Sequence, residues 1–269
     1  MKKRLIPAVA AGAALIAGSV ALGLPTAQAQ NPSQIRIVHA LDLDGSGVGG
    51  SSVTVCLDDA IIEEDFTVGE QIGPVPLDPG TYDAEVFLGA VADCAGAPAL
   101  QADLPVAGDS NATVMAYYDF DTRAPALTVL PDDVSCTEPG TGRLTVRHAA
   151  DFGDVDVLAN GAVAFPALAN GAQAVADLPV GTISAQVNGA GTSTDLFGPA
   201  DLPIVEAVGL EVYAILGPNT STGLGVFTLE TPLTACEVPV VTTVPAPPTQ
   251  PAAPAPTPAP VQAAPTFTG

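Results

Sequence analysis

Two histidines and one acidic loop are where this chain could do chemistry. His39 and His148 are the only histidines among 269 residues. Imidazole titrates near neutral pH, so a general base or a metal ligand is sought there first. Each histidine sits in nearly the same phrase, Arg36-Ile37-Val38-His39-Ala40 and Val146-Arg147-His148-Ala149. A histidine that ends the same strand in two copies points to a structural role, with a ring nitrogen bonded to a neighbouring loop carbonyl. Hydrolytic chemistry would need a nucleophile within hydrogen-bond reach of the imidazole, and the chain has no Gly-x-Ser-x-Gly elbow. The chain therefore reads as non-enzymatic, with a secreted hydrolase of an extracellular polymer as the alternative.

The sharpest local motif is Asp42-Leu43-Asp44-Gly45-Ser46-Gly47. Oxygen side chains at Asp42, Asp44 and Ser46, with Gly47 for the turn, copy the first half of a calcium-binding loop. The twelfth position is Val53 where a bidentate Glu would stand. The expectation is no cofactor, or weak calcium at ~10⁻⁴–10⁻³ M, as in extracellular modules. Asp151, Asp154 and Asp156 offer an equally weak set in the second copy. The four cysteines have no Cys-x-x-Cys spacing and are not read as metal ligands. Cys56 and Cys94 lie within the first copy, while Cys136 and Cys236 flank the second. One disulfide per copy, Cys56–Cys94 and Cys136–Cys236, is expected in an oxidising compartment. The second bridge would close a long loop, worth ~4–5 kcal/mol by chain entropy.

The elements that position these residues come in duplicate. Val53-Thr54-Val55 answers Val155-Asp156-Val157, Pro79-Gly80-Thr81 answers Val180-Gly181-Thr182, and Leu104-Pro105-Val106 answers Leu202-Pro203-Ile204. A repeat of roughly 100 residues is domain-sized. Short Val-, Ile- and Thr-rich runs between Gly, Pro, Asp and Asn read as strands, and Asn160-Gly161 as a two-residue hairpin turn. The fold expected is all-β: two tandem β-sandwich domains, immunoglobulin-like or transthyretin-like, over 30–131 and 143–238, joined by a short polar linker at 132–142. Phe66, Tyr82, Phe87, Phe165 and Tyr213 are the expected aromatic anchors, in a chain with no Trp.

The ends differ in kind. Lys2, Lys3 and Arg4, an apolar stretch from Leu5 to Leu24, and Ala27-Gln28-Ala29 read as a signal peptide over 1–29, leaving Gln30 first. No membrane span is expected after cleavage. Residues 239–269 are Pro- and Ala-rich and read as an extended, disordered tail. Without the three N-terminal basic residues, four arginines remain against 29 acidic residues, a net charge of −25. Such a surface repels nucleic acid and anionic lipid. The location expected is secreted, extracellular or cell-wall associated, with a cell-envelope or extracellular protein as the partner class.

The two His-Ala openings, each with a downstream Val-x-Val strand, a Gly-Thr turn and an apolar strand, are similar to the DUF4397 family. These are exported bacterial domains without an assigned activity, often found in tandem. The likeness covers about 34–130 and 143–230. Both copies lack the Ser and Pro that usually follow His-Ala. The first copy lengthens the stretch into Asp42–Gly47, while the second keeps Asp154-Val155-Asp156-Val157. The resemblance implies fold and location, and no reaction.

Overall fold

The computed structural model describes residues 31–44, 46–216 and 224–237. The expected signal peptide and tail lie outside them. Every regular element among the described residues is a strand. The first repeat holds β1 (Ser33–His39), β2 (Val53–Leu57), β3 (Ala60–Phe66), β4 (Gln71–Leu77), β5 (Gly80–Leu88), β6 (Leu100–Val106), β7 (Asn111–Asp119) and β8 (Ala124–Pro131). The second holds β9 (Thr141–His148), β10 (Val155–Ala159), β11 (Ala162–Leu168), β12 (Gln173–Pro179), β13 (Gly181–Gly189), β14 (Asp195–Ile204), β15 (Val208–Ile215) and β16 (Gly225–Pro232).

Each repeat is a two-sheet sandwich. The first has sheets β4-β1-β7-β8 and β3-β2-β5-β6; the second has β12-β9-β15-β16 and β11-β10-β13-β14. The opening strand of each repeat runs parallel to the seventh and antiparallel to the fourth. An immunoglobulin order would put strands A, B, E and D in one sheet. Four strands per sheet in this order leave the transthyretin-like alternative.

Turn chemistry repeats with the strands. Asn160 and Gly161 both have positive φ (52° and 78°), and they join Ala159 to Ala162 across a tight hairpin. Asp58 and Asp59 hold the same geometry in the first repeat (49° and 65°). The side-chain oxygens of Asn160 and Asp58 each accept the N–H of the strand beside them, from Ser184 and Asp83. Side chains that bond locally make αL tolerable.

The sandwich cores are aliphatic. Ile35, Ile37, Val55, Val86 and Val114 pack with Phe66 in the first, and Leu144, Val146, Val157, Val187 and Val212 pack in the second. The expected anchors divide among three places. Phe66 is in the first core, with Tyr82 and Phe165 half-buried at core margins. Phe87 instead packs on the Cys56–Cys94 disulfide with Ile61 and Val91, outside the main core. Tyr213, fully buried, lies in a third cluster that belongs to neither sandwich.

That third cluster joins the repeats. Val38, Met115, Tyr117 and Leu130 of the first repeat pack against Ala149, Tyr213, Ile215 and Phe227 of the second, with Tyr213 and Phe227 stacked at 4.6 Å. The outer face of β4-β1-β7-β8 thus meets the outer face of β12-β9-β15-β16, and β1 and β9 are buried on both sides. Gly171 is required at this junction. Its φ is +77°, and a Cβ there would lie 2.6 Å from the Tyr117 hydroxyl.

Candidate functional site

The two histidines do the same job in both repeats. His39 and His148 each end the strand that opens a repeat, and both are at most 1% exposed. His39 Nδ1 accepts the Leu41 N–H at 3.2 Å, so the proton rests on Nε2, which donates to the Ser51 carbonyl at 2.9 Å. A neutral ring with this tautomer ties the end of β1 to the far side of the acidic loop. Burial pushes the His39 pKa down to about 4, against the opposing pull of the Ser51 carbonyl and Glu70. His148 Nε2 meets the Gly153 carbonyl at 2.9 Å, and burial lowers its pKa as well. Its Nδ1 is buried with no hydrogen-bond partner. Each ring therefore clamps the loop between the first two strands of its repeat.

The acidic loop uses its carboxylates to hold itself. Asp44 Oδ1 accepts both the backbone N–H (2.9 Å) and the hydroxyl of Ser46, and Asp42 Oδ2 accepts the Gly47 N–H at 3.2 Å. The Ser46 hydroxyl and N–H hold the Asp44 pKa down, to about 2. Gly45 lies outside the described residues. Asp42, Asp44 and Ser46 are thus brought together, but as a turn in which Ser46 is a donor to Asp44. Among the described residues no group of three or more His, Cys, Asp or Glu side chains has the arrangement of a metal site. In the second repeat Asp156 accepts the N–H groups of Ala167 and Gly191, and Asp151 pairs with Arg123. Cys56 is bonded to Cys94 and Cys136 to Cys236.

The densest polar constellation is at the junction, and sequence reasoning missed it. Arg147 is 1% exposed and bonds Asp132, Glu211, Tyr213 and Gln173. Arg36 reaches the other oxygens of the same two acids, Asp132 at 3.0 Å and Glu211 at 2.5 Å, and donates to Thr231 at 2.7 Å. Two cations and two anions from both repeats and the linker therefore form one closed, buried network. Burial alone would raise the Glu211 pKa, but Arg147, Arg36 and the Thr231 hydroxyl outweigh it and hold the carboxyl below its usual range. Burial likewise opposes the charge on Arg36, and Glu211 and Asp132 more than compensate. Burial raises the Tyr213 hydroxyl, so it stays protonated and donates to Glu211 at 2.9 Å.

The other two arginines among the described residues serve the same region. Arg123 crosses from the first repeat to Asp151 of the second. Arg143 binds Asp177 on β12 through two nitrogens (2.7 and 2.9 Å) and Asp133 of the linker at 2.9 Å. The available signal was scarcity: a strongly acidic chain that places Arg36 and Arg147 inside apolar strands has a use for them there.

No curated protein matches the chain at the significance required. Among the described residues no helix is long and apolar enough to cross a membrane. The model of one protein family, described as a domain of unknown function (DUF4397), matches residues 33–158, from β1 of the first repeat through most of β10 of the second. The His-Ala openings of both repeats lie within that match, and over residues 33–158 this chain matches the DUF4397 family.

Proposed function

We propose that this is an exported, non-catalytic protein of the cell surface or the surrounding medium, whose two β-sandwich repeats act as one rigid binding or structural body. The observation that carries the reading is the use made of the reactive groups. Both histidines are neutral clamps on backbone carbonyls, and the four described arginines all join the repeats or hold the linker. A catalytic imidazole has to change protonation during turnover, and burial opposes that here. Two disulfides fit an oxidising compartment, and the acidic surface fits solubility there. A cell-envelope or extracellular protein suits the partner class better than nucleic acid, which a net charge of −22, or −25 without residues 1–29, repels.

The test is a hydrolase screen on polysaccharide, peptide and ester substrates, run with the natural chain and with a His39→Gln/His148→Gln variant. Glutamine keeps a donor where Nε2–H stands. The expected outcome is no turnover by either. Turnover that the double variant loses, with its fold intact by circular dichroism, would make the protein a histidine-dependent hydrolase.

A further inference from the structure

The two sandwiches share a frame but not an interior. Between the sheets of the second lies a cavity of about 230 Å³, against about 20 Å³ at the corresponding place in the first. Strand registers identify the cause. Leu57, Ile62 and Val75 of the first repeat correspond to Ala159, Ala164 and Ala176 of the second, and Leu127 corresponds to Val226. Each change shortens a side chain that points between the sheets, and all four second-repeat residues line the cavity. Every lining side chain is Ala, Val, Leu, Ile or Phe.

The shape is long. Ile183, Ala185 and Val187 form part of one wall, four residue steps of β13, or roughly 13 Å. Spread over that length, the volume has about the girth of a single alkyl chain. It exceeds the ~150 Å³ of an apolar cavity known to take up benzene. Ala164 lines the cavity and is also exposed, so the space reaches the surface at the β11 edge, beside Ala176 on β12.

We propose that the second repeat binds an unbranched hydrocarbon chain, inserted between its sheets from the β11–β12 edge, with a head of no net negative charge left at the surface. The apolar lining selects the chain, and the acidic surface disfavours an anionic head. The ligand is a free amphiphile or one chain of a lipid. This deepens the non-catalytic reading by naming a ligand class. It rests on the purified protein alone, so it can fail while that reading stands.

The experiment follows melting and calorimetric heat on adding 1-decanol, and separately dioctanoyl phosphatidylcholine below its micellar concentration. The same titrations are run on Ala159→Leu/Ala164→Ile, which restores the first repeat's residues, and on Ala176→Val as a milder filling change. The natural chain should bind decanol and melt about 4 °C higher or more at saturation. Either filling variant should bind roughly tenfold more weakly or worse, and melt higher than the natural chain without ligand. Binding of the alcohol alone assigns a free amphiphile, and binding of both assigns a lipid chain. No binding of either ligand by the natural chain overturns the proposal, as does binding that neither filling change weakens.

Discussion

Arg147→Met should separate the account of the junction from one in which the repeats merely touch. Methionine keeps much of the stem and removes the charge. Asp132 and Glu211, both about 5% exposed, would then share Arg36 alone. Breaking a buried ion network from one side costs about 3–5 kcal/mol, because an anion is left desolvated and uncompensated. Against a total stability of about 5–15 kcal/mol that is a large fraction. Adding Glu211→Gln leaves Arg36 paired with Asp132 and no excess anion, so the double variant should recover at least ~2 kcal/mol of the loss. Urea unfolding, followed by far-ultraviolet circular dichroism and tyrosine fluorescence, measures each corner of the cycle. The single variant should also split one transition into two, as the repeats lose their shared cluster. A loss under ~1 kcal/mol, or additive effects of the two changes, would refute the reasoning.

Acid should destabilise the fold partly through His39. The unfolded chain takes up this proton near pH 6.5 and the folded chain only near pH 4. Stability is therefore complete above 6.5 and falls by about 3 kcal/mol on crossing to pH 4. His39→Gln should flatten that slope in a pH series of melts. Glu211 has the same sign at lower pH: its depressed pKa makes its contribution present at neutrality and lost as the carboxyl protonates. Replacing Cys136 and Cys236 by Ser opens a ring spanning a separation of 100 residues and should cost ~4–5 kcal/mol in denaturant unfolding. Asp59→Gly relieves a φ of 65° in the first hairpin and should stabilise by a few tenths to about 1 kcal/mol in the same assay. Calcium titrated calorimetrically should give no heat that Asp44→Ala abolishes, since Asp44 already accepts from Ser46.

The repeat, the strands and the hairpin turn at Asn160-Gly161 were legible because they rest on local chemistry: period-two patterning, β-branched runs and positive-φ residues. The pairing of Cys56 with Cys94 and of Cys136 with Cys236 follows from which cysteines share a copy. The histidine clamps were legible as a matched position, though which carbonyl each ring meets depends on loop conformation. The junction was not legible. Arg36 and Arg147 alternate with apolar residues as outward-facing polar positions do, and only the second repeat, packed on that face, turns them inward. Tyr213 was misplaced for the same reason, since a ring on β15 gives no sign of which side of the sheet will be covered. The cavity depends on four trimmed side chains, one on each of four strands, a correspondence that spacing alone leaves ambiguous wherever β-bulges shift it.

The central claim is an exported body built for binding or structure, and its most direct test is where the chain goes. The protein is recovered from cytoplasm, envelope and medium of the producing cells, and its N-terminus and free thiols are determined. The account predicts a chain that begins at Gln30, has no free thiol and lies outside the cytoplasm. A chain that begins at Met1, with reduced cysteines, inside the cell would contradict it.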